Sequence, residues 1–145
     1  MTESSIAEKI REKKKAFLAR EQEIVESAKS LLIDHHVDKM TVAEIAKKAS
    51  IGKGTIYKHF QTKNEILVRI MLDYEKGISV ELKKGLDRAK EGDPGAVSKA
   101  YFESRLANPA DDRLVQKLED KLADAEDVKE QMMQFYQIRR SHGNH

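Results

Sequence analysis

The sequence predicts an all-α protein made of a three-helix head with a helix-turn-helix, a long connecting helix and a short helical C-terminal body. Apolar residues recur at three- and four-residue intervals through most of the chain, which is the spacing of helices that bury one face. Two Thr-x-x-Glu patterns, at residues 41–44 and 62–65, mark helix starts. The two prolines fall at predicted breaks, Asp93-Pro94 and Asn108-Pro109, and we expect little or no strand.

Length and composition indicate a soluble, mostly helical chain of one domain, or of one small domain with part of another. Of its 145 residues, 39% are hydrophobic and 36% charged, and the absence of cysteine excludes disulfides, thiolate catalysis and thiolate metal sites. No window comes near the roughly 18 consecutive apolar residues of a membrane span, and the N-terminus has no apolar signal segment. We therefore expect a cytoplasmic protein with no membrane segment, metal site or cofactor.

Basic residues are more frequent in the predicted head than in the rest of the chain. Residues 1–62 contain 12 Lys and Arg against 9 Asp and Glu, whereas residues 63–145 contain 15 against 16. This modest excess of basic residues lies in the predicted head, where binding to phosphates would require positive charge. We predict a nucleic-acid-binding head over residues 1–62 and a second domain, the connecting helix with its body, over residues 63–145.

A lysine-rich extension precedes the head. Residues 5–8 are a candidate capping box, and Ile6, Ile10 and Phe17 are compatible with a helical stripe. The basic run Lys9–Lys15 has two interpretations. It is either a solvated, partly frayed helix, or a basic arm that contacts a DNA backbone or minor groove.

The first two helices of the head follow from apolar spacing and capping. The first is predicted from about Ala19 to His35. Its apolar stripe comprises Ile24, Ala28, Leu31 and Leu32. The second should begin at Val42, because Thr41 and Glu44 form a capping box in front of it. Its inward positions are Val42, Ile45, Ala46 and Ala49.

Another short helix is predicted from about Lys53 to Phe60, after a turn at residues 50–52. Ile56 and Phe60 are one helical turn apart and should pack inward. The outward positions are Lys53, Thr55, Tyr57, Lys58 and His59. Two short helices joined by a tight turn, the second with basic and hydroxyl groups outside, are typical of a helix-turn-helix.

The start of this second motif helix offers groups that suit a DNA groove. Lys53 can reach a guanine edge or a phosphate, and Thr55 can donate to a phosphate or touch a thymine methyl group. Gly54 has no side chain, so the backbone can approach the groove wall and offer an N–H to a phosphate.

Three segments together resemble a known family. They are Thr41-Val42-Ala43-Glu44-Ile45-Ala46, Gly52-Lys53-Gly54-Thr55-Ile56-Tyr57-Lys58-His59-Phe60 and Lys63-Asn64-Glu65-Ile66-Leu67. They resemble the DNA-binding domain of the TetR (tetracycline-repressor-like) family of bacterial transcriptional regulators, over roughly Glu21 to Leu72. The Lys-Gly-Thr-x-Tyr-x-His-Phe core is far more diagnostic than a generic helix-turn-helix.

The resemblance implies a role for each matching residue. The positions that usually meet the DNA backbone in the family are Thr41, Val42, Tyr57, His59 and Lys63. Lys58 stands where a groove contact occurs, and Ala43 replaces a base-reading arginine of some members. The residues alone also allow Tyr57 to pack its ring against the core and His59 to be a core-edge histidine bonded to a carbonyl.

Two positions depart from the family pattern. His36, at the end of the first helix, and Ser50, in the turn of the motif, stand where glycine is more usual. We expect each to cost about 1 kcal/mol of local stability if the backbone there is left-handed.

The connecting helix is predicted from the Thr62–Glu65 box to about Lys90, weakened by Gly77 and Gly85. Body helices are then predicted from about Pro94 to Leu106 with Asp93 as cap and Leu106 inward, around Leu114–Leu122, and over Val128–Tyr136. The resemblance implies that residues 63–145 contain the connecting helix and a truncated regulatory and dimerisation body. The family body usually has five or six helices, of which the last two form the dimer interface. The body here therefore looks incomplete: a truncated chain, a short member and a different dimer interface all stay open.

The resemblance implies a sequence-specific transcriptional regulator, most often a repressor, that binds palindromic double-stranded DNA as a homodimer and is released by a small molecule. Candidate ligand-binding residues are Tyr101, Met132, Phe135 and Tyr136, although such apolar and aromatic residues at helical spacing more often form ordinary core. We do not expect an enzyme, because no nucleophile elbow, phosphate-binding glycine loop or metal-spaced acid cluster is present. The alternative is a helical protein-interaction module that does not bind DNA.

Overall fold

The computed structural model describes residues 3–143, with side chains from residue 5 onward, and over that range the chain is all-α, as predicted. Its helices are α1 (Glu3–Asp34), α2 (Val42–Lys48), α3 (Lys53–Tyr57), α4 (Lys63–Lys90), α5 (Ala96–Ala107), α6 (Pro109–Leu122) and α7 (Lys129–His142), with a 3₁₀ turn at Glu126–Val128. Within residues 3–143, every helix is too short or too polar to span a membrane.

The chain divides into two compact units, Met1–Ile66 and Leu67–His145. The first unit contains α1 to α3 and the opening turn of α4, and the second contains the rest of α4 and the body helices. The functional roles assigned from the sequence to residues 1–62 and 63–145 stay predictions.

α1 is one helix of 32 residues, much longer than the helix predicted over residues 19–35. Glu, Lys, Arg and Ala dominate residues 7–20 and are strong helix formers, so the helix runs through the basic segment without a break. It begins at Glu3, and the predicted cap at Ser5 was therefore wrong. Its buried residues are Ile24, Val25 and Ala28. Residues 8–20 are all exposed.

The predicted capping box at the start of α2 is confirmed. The Glu44 N–H donates to the Thr41 hydroxyl oxygen at 3.1 Å, and this hydroxyl donates to the Glu44 carboxylate at 3.1 Å. The carboxylate thus closes the box through the hydroxyl. α2 begins at Val42, as predicted, and buries Ile45 and Ala46.

α2 ends in a Schellman motif with Ser50 in the left-handed region, at φ 58°. The Ser50 N–H donates to the Lys47 carbonyl at 3.2 Å, and the Ile51 N–H donates to the Ala46 carbonyl at 3.0 Å. Within residues 3–143, Ser50 is the one non-glycine residue with positive φ. The strain expected at Ser50 is therefore present, whereas His36 does not adopt the left-handed backbone that was expected of it.

We expect Ser50→Gly to raise the free energy of unfolding by roughly 1 kcal/mol, because glycine adopts a left-handed backbone without a Cβ clash. Urea unfolding measures the change. The matched control is Ser98→Gly, at an exposed position inside α5, which should lower stability by roughly 0.5 kcal/mol or less, since glycine is a somewhat poorer helix former than serine. Destabilisation of both variants by the same amount would contradict the strain at Ser50.

In the second unit, α4 packs closely against α5 around Ile78, Leu82 and Ala100. Gly85 lies at the closest approach, because a Cβ built there would be 2.8 Å from both the Ala100 Cβ and the Ala96 carbonyl oxygen. Gly85 therefore permits this packing besides weakening its own helix, which the sequence did not reveal.

α5 begins at Ala96, two residues later than predicted. The Ala96 N–H donates to the Asp93 carbonyl at 3.1 Å, so residues 93–95 form a turn in place of the predicted cap and first helical residues. The prediction that Leu106 faces inward was also wrong, since it is 74% exposed. It lies roughly 100° around the helix from the face that Ala96 and Ala100 bury.

A buried ionic network joins the helices of the second unit. Glu75 of α4 is fully buried and accepts two hydrogen bonds from the Arg105 guanidinium of α5, at 3.0 and 3.2 Å. It also accepts from Arg139 Nε of α7 at 3.4 Å, and His142 Nδ1 lies 3.2 Å from the same carboxylate. Arg139 donates in addition to Glu119 of α6, at 2.8 Å.

Two groups beside this network have shifted pKa values. The Tyr74 hydroxyl donates to the Asp112 carboxylate at 2.8 Å, and burial, reinforced by this hydrogen bond, raises the pKa of Tyr74 to about 12. Burial alone would lower the pKa of Arg105, but its hydrogen bonds to Glu75 raise it above the ordinary value. Arg105 is therefore charged, and Tyr74 neutral, at neutral pH.

The residues predicted to bind a ligand are packed among other side chains. Met132 and Phe135 of α7 are buried, and the Phe135 ring meets the Tyr136 ring edge-on with centroids 5.5 Å apart. Tyr101 of α5 packs against the cluster around Ile78. A ligand-binding role for these side chains stays a prediction.

Candidate nucleic-acid interface

α3 and the turn after it have exposed polar residues on one side and two buried apolar side chains on the other. Ile56 and Phe60 are buried, as predicted. The exposed residues are Lys53, Gly54, Tyr57 and Lys58, which we call the recognition surface. Their spacing of one, three and one residues places them on one side of the short helix, opposite Ile56. Tyr57 is 48% exposed, so its ring is not part of the core, and Thr55 is half-buried at the edge of the surface.

α3 is shorter than the predicted helix, since it ends at Tyr57 and not at Phe60. The N–H groups of Lys58 and His59 donate to carbonyls three residues back, at 3.2 and 2.9 Å, which tightens the chain into a turn. This turn directs Phe60 into the core and carries the chain to Thr62, whose hydroxyl accepts from the Glu65 N–H at 3.3 Å and caps α4. The last residues of the predicted recognition helix thus lie on a turn.

The predicted phosphate contact required the His59 side chain to point outward. In the structure it points into the first unit. Its imidazole is 3% exposed, stacks on the Phe17 ring of α1 at 4.0 Å between centroids, and places Nδ1 3.2 Å from the Glu21 carboxylate. In this conformation the imidazole cannot reach a phosphate. Its contacts with Phe17 and Glu21 instead connect the turn after α3 to the middle of α1.

The Lys63 side chain is also engaged within the first unit. Its ammonium donates to the Val37 carbonyl at 2.9 Å and to the Met40 carbonyl at 3.0 Å. These bonds tie the start of α4 to the loop between α1 and α2. Lys63 was predicted to contact a phosphate, and this stays a prediction; in the structure its ammonium bonds to carbonyls of the protein.

The other two predicted contact residues lie at the start of α2. Thr41 is exposed, but its hydroxyl is engaged in the capping box, so its backbone and methyl group are what it offers to a partner. Val42 is half-buried beside it.

Chemically, the recognition surface can bind an anionic partner. Lys53 and Lys58 supply ammonium groups, Tyr57 supplies a hydroxyl, and Gly54 leaves space for close approach. The sequence did not reveal the contacts that hold this surface, because Phe17 and Glu21 belong to a helix far back in the chain and no local pattern pairs them with His59.

The comparison with protein families identifies the segment that contains this surface. Residues 24–70 match the sequence model described as bacterial regulatory proteins, tetR family. Residues 24–70, which are 47 of the 145 residues, are similar to this family. The resemblance seen in the motif is thereby confirmed over the C-terminal part of α1, α2, α3 and the start of α4. The tetR family comprises DNA-binding transcription regulators, and the recognition surface lies within the segment that is similar to it. The comparison with curated proteins gave no significant match.

Proposed function

We propose that this chain is a sequence-specific transcription regulator that inserts α3 into the major groove of double-stranded DNA and acts as a repressor. The observation that carries the proposal is the recognition surface, whose cationic and hydroxyl groups are held outward by the buried Ile56 and Phe60. The major groove is wide enough to admit a helix and exposes base edges to it. The tetR-family match supports the same function.

Within this proposal, the exposed residues contact DNA directly and the buried ones position them. Lys53 reaches a base edge or a phosphate, and Tyr57 and Lys58 contact the backbone and the groove wall. Thr55, Thr41 and Val42 lie at the edge of the contact. We assign His59 and Lys63 to holding α3 and α4 in place, because their side chains bond within the protein.

We infer that two copies bind a palindromic operator, since a two-fold dimer presents its heads to two half-sites about one DNA turn, roughly 34–36 Å, apart. Members of the family typically bind DNA as dimers, which supports this arrangement. Release of DNA by a small molecule bound in the second unit completes the proposed cycle, with Tyr101, Met132, Phe135 and Tyr136 as the candidate ligand contacts.

Selection of binding sites from a random duplex pool, combined with a mass measurement of the complex, tests the proposal. We expect an enriched palindromic sequence bound by two chains. Titration of nonspecific duplex at low and high salt provides a second test, because phosphate contacts make affinity fall steeply with the logarithm of salt concentration. No binding at low salt would refute DNA binding and favour a helical protein-interaction module.

We expect Lys53→Ala to weaken operator binding by about 1–3 kcal/mol and to relax selection at one base position, if this ammonium contacts a base edge. The pool selection, repeated with the variant, measures both effects. Lys117→Ala, which removes an exposed lysine from α6, is the matched control and should leave binding unchanged. An unaltered enriched sequence with Lys53→Ala would refute base recognition by Lys53.

A further inference from the structure

The exposed part of α1 has two chemically different faces. The first comprises Ile10, Lys13, Lys14 and Phe17, which are spaced i, i+3, i+4, i+7, and we call it the lysine face. The second comprises Glu8, Arg11, Glu12 and Lys15 with the same spacing, and we call it the mixed face. The lysine face carries two positive charges and no acid, whereas the charges of the mixed face cancel.

The lysine face contacts the turn that follows the recognition surface, through Phe17. The Phe17 ring stacks on His59, and Glu21, one turn further along α1, lies 3.2 Å from His59 Nδ1. His59 lies in the turn after α3 and follows Tyr57 and Lys58 directly in the chain. Lys13 and Lys14 lie one helical turn, about 5–6 Å, before Phe17 on the same side of α1. The contact with His59 therefore fixes which face of α1 adjoins the end of α3.

We propose that the lysine face is a second DNA-binding surface, in which Lys13 and Lys14 contact phosphates beyond the groove that α3 occupies. This inference rests on the proposed DNA-binding function. Duplex DNA is the partner whose charge matches, because the face has no carboxylate at helical neighbour positions of Lys13 or Lys14. The face also contacts the turn that directly follows the recognition surface. These exposed lysines lie on the same continuous helix whose later residues Ile24, Val25 and Ala28 are buried in the head.

The experiment compares two double variants of the full chain. Lys13→Gln/Lys14→Gln removes both charges of the lysine face, and Arg11→Gln/Lys15→Gln removes two charges from the mixed face of the same helix. Glutamine is as good a helix former as lysine or arginine, and helicity by circular dichroism verifies that α1 is intact. Fluorescence anisotropy with one labelled duplex, over roughly 50–200 mM salt, gives the slope of log affinity against log salt.

We expect the lysine-face variant to reduce this slope by about 1.8 per bound head, since each lost phosphate contact removes about 0.9. The mixed-face variant should keep nearly the parent slope. Equal reductions would show that only the overall charge matters, and no reduction in either would show that α1 does not touch DNA, so both outcomes overturn the inference. If the parent chain binds no duplex at low salt, the proposed function fails as well. If the parent binds and the two variants do not differ, only the lysine face fails.

Discussion

A Gly54→Glu variant is expected to bind duplex DNA about 100-fold more weakly than the parent chain, a loss of about 2.7 kcal/mol, without loss of thermal stability. Gly54 is exposed on the recognition surface, and a Cβ built there meets no atom within 4 Å apart from its chain neighbours and the backbone of its own helix. The fold therefore tolerates a side chain at this position, and glutamate is the better helix former. In the complex, the same side chain would stand between α3 and the groove wall and would repel phosphates.

Gly77→Glu is the matched control for this variant. Gly77 lies inside α4, and a Cβ built there likewise meets nothing within 4 Å. The two variants make the same chemical change and alter net charge equally, so an affinity loss confined to Gly54→Glu isolates the recognition surface. Anisotropy titrations and thermal unfolding of both variants provide the measurements. Parent-like affinity in Gly54→Glu would remove α3 from the DNA interface.

A Glu75→Gln variant is expected to lose about 3 kcal/mol of unfolding free energy, because it breaks a buried ion pair. The fully buried Glu75 carboxylate accepts from Arg105 at 3.0 and 3.2 Å and from Arg139 at 3.4 Å. Removing its charge leaves the half-buried Arg105 guanidinium without its main partner, and breaking a buried ion pair typically costs about 3–5 kcal/mol. Arg139 keeps its hydrogen bond to Glu119 at 2.8 Å. We expect the lower end because Arg105 keeps Asp112 at 3.7 Å.

Urea unfolding measures this loss against Glu81→Gln. Glu81 forms an exposed ion pair with Lys84 at 3.2 Å on the same helix, and such pairs contribute about 0.2–1 kcal/mol at most. The second unit should therefore unfold much more readily in the first variant than in the second. Equal midpoints would mean that the buried network contributes no more to stability than a surface pair does.

Much of the first unit was predictable because its signals are local. The Thr41–Glu44 box, the start of α2 at Val42 and the inward positions of Ile56 and Phe60 all depend on contacts within four residues of the chain. The prediction that Tyr57 faces outward followed from the same helical phase. The errors at Ser5, Asp93 and the end of α3 lie at helix ends, where several capping solutions compete.

The sequence by itself therefore determined the all-α class, the helix-turn-helix and the exposed lysines of the recognition surface, since helix periodicity and capping act between near neighbours. Only the tertiary structure decided the contacts between distant residues. His59 lies beside Glu21, 38 residues away, and the Lys63 ammonium donates to the Val37 carbonyl. Glu75 accepts from Arg105 and from Arg139, the latter 64 residues away. A histidine, a lysine or a glutamate is equally suited to water and to a buried partner. Which of the two it meets depends on where packing places distant helices, and no local pattern in the chain encodes that position.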